Sequence, residues 1–343
     1  MLESAAYLPV YVITGFLGSG KTTLLQRLLA APELSDTAVL VNEFGEVGLD
    51  HHLLRRVDEV IVLVQSGCLC CTIRGDLSAA IRDLYGRRER GEIAPFARLA
   101  IETTGLADPV PILSTVMAEP VIRHHFRLGQ VITTVDGVNG LLHLDHQPES
   151  VKQAAVADRI VVTKTDIATR GAIRKLTMRL HRVNPTATLL AMTIDRVPDA
   201  TLLLTADLDH PAAGSEEVHR WLTLATAGPN VAGHHDHGVN RHDARIHAFC
   251  LTLDRPLDWT AFGIWLSMLL HSRGTDVLRV KGLLDVSGAD GPVVIHGVQH
   301  LVHPPVHLPA WPDGDRRTRL VFIVRDIARA EIERSLAAFN CLG

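Results

Sequence analysis

Apolar positions in the first two-thirds of the chain gather into short continuous runs. They are Val10–Thr14, Ala38–Val41, Val60–Val64, Arg98–Ile101, Val131–Val135, Arg159–Thr163 and Ala187–Met192. Each is too short for a helix and rich in β-branched residues, which predicts a buried strand. Helical periodicity occupies the intervals, over Thr22–Ala31, Asp76–Arg88, Pro111–Ala118, Ser150–Ala157 and Ala172–Val183. Strands that alternate with helices predict an α/β fold with a mostly parallel sheet covered on both faces. Ligands in such folds collect at the carboxyl ends of the strands.

The pattern lapses over AGPNVAGHHDHGVNRHD (Ala227–Asp243), where apolar residues thin out and turn-formers accumulate. It resumes with a strand at Ile246–Leu253. A helix follows over Trp259–Ser272, with Phe262, Trp265, Leu266 and Leu269 at helical spacing. Strands come next at Val277–Leu284, Val293–His296 and Leu320–Val324, then a last helix at Ile327–Phe339. The order βαβββα predicts a small α+β domain. The expected division is 1–227, a His-containing linker over 228–243, and 244–343, with no internal repeat.

Composition narrows the classes. A length of 343 residues accommodates two or three domains. A formal net charge of −4 without a basic block argues against nucleic acid as the main partner. No run approaches the ~20 apolar residues that a membrane span requires. The N-terminal MLESAAYLPVYVITG carries Glu3 and runs into a strand, unlike a secretory signal, so the expected location is cytoplasmic. Three of the five cysteines fall within four positions, at Cys68, Cys70 and Cys71. An odd, clustered set in that compartment points to metal or redox chemistry rather than a disulfide framework. Cys250 and Cys341 stand apart and read as small buried residues.

The chemistry is concentrated after the strands. Gly15–Thr23 reads GFLGSGKTT, a G-x-x-x-x-G-K-[ST] phosphate loop set between a strand and a helix. Gly15, Gly18 and Gly20 let the backbone turn its N–H groups inward, and the following helix adds its positive end. Lys21 would reach the β- and γ-phosphates, and the Thr22 hydroxyl would hold Mg²⁺. Glu102 opens ETTGLADP at the tip of a strand, placed to bind Mg²⁺ through water or to orient the attacking water. Gly105 is placed to donate its N–H to the γ-phosphate. Asp108-Pro109 reads equally as a capped helix start. In Thr163-Lys164-Thr165-Asp166 the Asp166 carboxylate can accept from the guanine N1–H and exocyclic amine, with the Lys164 stem along the base. Adenine lacks that donor pair, so the motif argues for GTP. Thr163 stands where the usual form has Asn.

GCLCC (Gly67–Cys71) offers two or three thiolates which, with a carboxylate or histidine, would make a tetrahedral zinc-type site. Soft sulfur favours zinc or Cu(I) over Mg²⁺. A redox thiol pair and a buried structural triplet are the competing readings. The segment VNEFGEVGLD carries Glu43 and Glu46 where a nucleotide switch would sit, and reads alternatively as a polar turn. His234, His235, His237 and His242 of the linker suit weak metal collection or plain solvation. His296, His300, His303 and His307 read as structural or solvent-facing. His51-His52 and His124-His125 lie beside switch-like segments.

Taken in order, GFLGSGKTT, NEFGEVGLD, GCLCC, ETTGLADP and TKTD resemble the P-loop GTPases of the CobW and zinc-chaperone type. LRVKGLL, HGVQHL and RLVFIVRDI (Leu278–Leu284, His296–Leu301, Arg319–Ile327) likewise resemble the CobW C-terminal domain. Related nickel-handling GTPases for urease and hydrogenase share the nucleotide fold with differently arranged metal sites. The resemblance implies a metal chaperone or insertase with slow GTP hydrolysis. By motif, Gly18, Ser19, Gly20, Lys21, Thr22 and Thr23 would bind phosphate, and Glu102 would be the Walker B carboxylate. Lys164 and Asp166 would read guanine. Cys70, with Cys68 or Cys71 and with Glu46, would hold the transferable metal, zinc first, then cobalt, nickel or iron. A client metalloprotein is the implied partner, a zinc, nitrile-hydratase-type or cobalamin-pathway protein, and a homodimer is admitted. Two readings of other classes compete: an ATP-using small-molecule kinase, and a regulatory GTPase with structural cysteines.

Overall fold

A computed structural model describes residues 7–43, 61–65, 72–204, 218–223 and 245–340. By internal packing the chain divides into two units that interleave along it. The first comprises Met1–Gly140, Ala157–Ile173 and Leu189–Thr205. The second comprises Leu141–Val156, Arg174–Thr188 and Ala206–Gly343.

The first unit is built on β1 (Leu8–Gly15), β2 (Thr37–Glu43), β3 (Ile61–Gln65), β4 (Arg98–Glu102), β5 (Phe126–Asp136), β6 (Arg159–Thr163) and β7 (Thr188–Ala191). Their order across the sheet is β3-β2-β4-β1-β5-β6-β7, and the pairs from β3 through β6 are all parallel. Every predicted strand is present, with bounds shifted by a residue or two except in β5. That strand begins five residues early, because Phe126–Leu128 pair with Leu8–Val10 of β1 ahead of a register shift.

Alternation along the central strands sends side chains to both faces. Tyr11, Ile13, Val39, Val41 and Ala100 pack with Leu24, Leu25 and Leu28 of α1 (Lys21–Leu29). Their neighbours Val10, Val12, Leu40, Leu99 and Ile101 are fully buried as well. Leu77, Ile81 and Leu84, at i, i+4 and i+7 of the helix Thr72–Glu89, supply a buried stripe of their own. Burial on both faces explains the continuous apolar runs of the sequence.

The second unit holds an antiparallel sheet ordered β11-β10-β9-β13-β8. Its strands are β8 (Ile246–Leu253), β9 (Val277–Leu284), β10 (Val293–Val298), β11 (Leu301–Val302) and β13 (Thr318–Arg325), and β12 (Val306–His307) pairs with β10. The predicted βαβββα order holds, with β11 and β12 as two-residue additions. One face packs Phe262, Trp265, Leu266 and Leu270 of the helix Trp259–Arg273, and Ile332 and Leu336 of the helix Arg329–Asn340. Leu270 therefore takes the fully buried position expected of Leu269, which is partly buried. Trp221 and Leu222, in the helical turn 218–223, cover Leu283, Val294 and Val321 on the same sheet.

Two helices of this unit end side by side. The buried Asn184 amide follows the helix Arg170–Val183 and donates to Ala154 O (2.9 Å) and Ala155 O (3.1 Å). Arg279 of β9 donates to Val156 O. The last-turn carbonyls of the helix Pro148–Val156, which no intrahelical N–H reaches, are thus satisfied by side chains distant in sequence. Among the described residues no helix is long and apolar enough to cross a membrane. Asn184→Ala strips two buried carbonyls of their donor and should cost about 2–4 kcal/mol, at ~1–2 kcal/mol per bond. Urea unfolding would read this as a lower midpoint at unchanged slope.

Candidate functional site

The phosphate loop leaves the carboxyl end of β1 with Gly15, Gly18 and Gly20 at φ 143°, 69° and 91°. All three lie where a Cβ is disfavoured. Gly15 also has no room for one, since a Cβ there would come within 2.4 Å of Thr134 O and Oγ1. Ser19 Oγ meets Thr134 Oγ1 at 2.7 Å, and Ser19 N donates to Phe16 O at 3.1 Å. Gly20 caps α1. The buried Lys21 ammonium donates to Gly15 O (3.0 Å) and Phe16 O (3.1 Å), so its charge lies across the loop.

Three neighbouring strand ends close on this loop. From β4, Glu102 Oε1 accepts from Thr22 Oγ1 at 2.6 Å. Thr103 ties the same strand to β1 through Ile13 O (2.9 Å) and Thr14 Oγ1 (2.9 Å). A Cβ on Gly105 would lie 2.7 Å from Leu17 N and 2.8 Å from Leu17 Cα, so the two backbones touch. From β6, Thr163 Oγ1 donates to Ser19 O at 2.8 Å. Lys164 Nζ donates to Gly18 O at 2.8 Å. Gly15, Gly18, Ser19, Gly20, Lys21, Thr22, Glu102, Gly105 and Lys164 therefore lie together at the carboxyl ends of these strands. Thr23 follows within α1. Asp166 lies exposed in the turn after Lys164.

Asp136, at the end of β5, carries no motif signal in the sequence. It is 3% exposed. Its Oδ2 accepts from Lys164 Nζ at 2.7 Å, and its Oδ1 accepts from Val138 N (2.7 Å) and Asn139 N (3.0 Å). The signal that could have found it is an acidic residue closing a strand predicted to neighbour the phosphate-loop strand.

Other expectations change. Asp108 does accept at a helix start, from Val110 N at 3.0 Å, but Pro109 is the cap residue of Val110–Ala118. His124 and His125 precede β5, whose Phe126 pairs with Leu8 at the opening of β1. They sit at the amino edge of the sheet, far from the loop that follows Gly15. His296 is buried edge-on to Trp221, and His300 Nδ1 lies 2.7 Å from Leu270 O. Cys250 is half-buried in the second unit. Glu46, His51, His52, Cys68, Cys70, Cys71, the linker histidines and Cys341 lie outside the described residues. The strands that lead into two of those segments are described. Glu43 at the end of β2 is in register with Gln65 at the end of β3.

Residues 9–191 match the family model described as CobW/HypB/UreG, nucleotide-binding domain. The chain belongs to the CobW/HypB/UreG family. Residues 246–340 of this CobW-family chain match the model described as the cobalamin synthesis protein cobW C-terminal domain. It is 32% identical to "Zinc chaperone YjiA" of Escherichia coli, over 96% of this chain and 98% of the relative. It is 27% identical to "Zinc-regulated GTPase metalloprotein activator 1" of Schizosaccharomyces pombe, over 94% and 83%. Among solved structures it resembles a Zn(II)-bound triple mutant of the YjiA GTPase, at 27% identity and a TM-score of 0.72. That match covers 98% of this chain and 99% of the other.

Electrostatics at the CobW-family site centre on Asp136. Burial pushes its carboxyl up, but the Lys164 ammonium and the Asn139 and Val138 N–H donors outweigh this and hold it below its ordinary value. A depressed carboxylate stabilises the fold above the unfolded pKa, about 3.9, and loses that contribution as pH falls through the folded value. The gap in melting temperature between the parent and Asp136→Asn should be constant above about pH 5 and shrink toward pH 3. Gly105→Ala forces the Leu17 backbone to move, which should cost about 1–3 kcal/mol as an overpacked contact does. The checks are urea unfolding and nucleotide titration, where binding should weaken along with stability.

Proposed function

We propose that this chain is a GTP-dependent metal chaperone. It takes a transition metal, zinc first and cobalt, nickel or iron after it, at Cys68, Cys70 and Cys71 with Glu46. It passes the ion to a client metalloprotein when GTP is hydrolysed. The observation that carries the nucleotide half is the Thr22–Glu102 contact of 2.6 Å at the mouth of the glycine cradle. A hydroxyl and a carboxylate are hard oxygen donors of the kind Mg²⁺ takes, and the positive-φ glycines give the loop the tight turn of a phosphate cradle ahead of a helix N-terminus. When bound, Mg²⁺ supplies charge neutralisation at the β- and γ-phosphate oxygens.

The remaining steps belong to the chain. Loop N–H groups and the positive end of α1 hold the phosphates, and Lys21 balances charge on the oxygens between the β- and γ-phosphorus. Water attacks the γ-phosphorus in line, the bond to the β-phosphate oxygen breaks, and GDP and phosphate result. Glu102 fixes the Thr22 hydroxyl at the mouth of the cradle. Lys164 and Asp166 select guanine. Hydrolysis is slow, since the motifs supply no arginine finger.

For the metal half, β2 and β3 end in register at Glu43 and Gln65, and the sequence continues from those ends into the segments that carry Glu46 and the cysteines. β3 is three strand spacings from β1, about 14 Å at ~4.8 Å each. The zinc-chaperone names of the relatives support the same cargo.

Metal affinity should be about 5–150-fold higher with a non-hydrolysable GTP analogue than with GDP or no nucleotide, the range of ordinary coupling. Competitive zinc titration in the three states measures it, with Cys68, Cys70 and Cys71 all changed to Ser as control. Equal affinities in all three states would discard the coupling. Lys21→Ala should lower GTP turnover by about 10²–10³, the scale of one lost electrostatic contact, in a phosphate-release assay.

A further inference from the structure

We infer that Asp136 is a specificity-determining positioning residue for the nucleotide base, acting through Lys164. The inference rests on the GTPase reading above and adds a residue that no motif marks. Asp136 ends β5 and is in register with Thr163 at the end of β6. The turns that follow the two strands are bonded to one another. Gly137 N donates to Thr163 O at 2.9 Å, and a Cβ on Gly137 would come within 2.6 Å of that same oxygen. The Asp136 carboxylate divides its oxygens between two tasks. Oδ1 takes Val138 N and Asn139 N and so fixes its own turn, while Oδ2 takes the Lys164 ammonium at 2.7 Å.

Lys164 needs this support. Its backbone is at φ 55°, a left-handed conformation that an L side chain adopts only when its surroundings compensate. Its side chain is long and would otherwise sample many rotamers. Two bonds from the one ammonium, to Asp136 Oδ2 and to Gly18 O, hold the far end of the side chain. The stem is then fixed where a planar base can lie along it, and the base-reading turn is fastened to the apex of the phosphate loop. The pair is also electrically neutral, so it adds no net attraction for phosphate of any nucleotide. Its contribution goes to the base.

Removing the Asp136 charge therefore has two opposed consequences. Lys164 loses its anchor, which weakens base recognition. Its charge is also uncompensated near an anionic ligand, which strengthens phosphate binding whatever the base. The discriminating quantity is the ratio of ATP to GTP dissociation constants, measured by competition against a fluorescent GDP. Asp136→Asn should lower that ratio about tenfold, and Lys164→Met should lower it similarly. The double variant should be no worse than either single, and Asp136→Glu should restore most of the parental ratio. A parent with no guanine preference overturns the GTPase reading and this inference with it. A parent that prefers guanine, with Asp136→Asn keeping the parental ratio and losing only melting temperature, overturns the inference alone. If Asp136→Asn does not fold, the double variant and Asp136→Glu decide. Additive losses, or no recovery with Glu, count against the pair acting as a unit.

Discussion

The phosphate loop can exist only because its backbone lies directly on its neighbours. Gly15 sits against Thr134, and Gly105 against Leu17. At each of these places a glycine removes the Cβ that would hold two segments apart. Side-chain bonds then fix what close approach permits, through Thr22 to Glu102, Thr163 to Ser19 O and Lys164 to Gly18 O. The loop is thus shaped by the ends of β4, β5 and β6 as much as by its own sequence. This gives the fold a functional consequence: strand order decides which side chains can reach a bound nucleotide.

Charge placement follows the same logic. The cations near the loop, Lys21 and Lys164, are held by backbone carbonyls and by a buried carboxylate. Asp136 stays ionised because three donors converge on it despite its burial. A carboxylate left in that position without them would sooner take up a proton than stay charged. Positive φ at Lys164 is the local cost of bringing its ammonium to the loop.

The second unit illustrates a different dependence. Its antiparallel sheet buries one face under two helices and the other under Trp221 and its neighbours. It also takes in two helices that flank β6 in sequence, joined at their ends by Asn184 and Arg279. Composition placed the break between domains at the histidine-rich linker. Packing groups residues 141–156 and 174–188 with the later part of the chain, a partition no linear boundary can express.

Periodicity and short spacings made much of this readable. The runs around Ile13, Leu99 and Val161 are apolar because both faces of their strands are buried, and GFLGSGKTT and ETTGLADP carry their geometry within a few residues. Those features depend on φ, ψ and side-chain alternation, which are local. Asp136, Asn184 and Arg279 carry no such mark. Their partners lie 28, 30 and 123 residues away along the chain. What joins them is the permuted order of strands and the crossing of helices, and neighbours in sequence do not set either. The sequence alone determined which segments become strands and where the phosphate loop lies. Only the tertiary structure decided which buried charge holds the Lys164 ammonium, because that pairing exists only once β5 and β6 stand side by side.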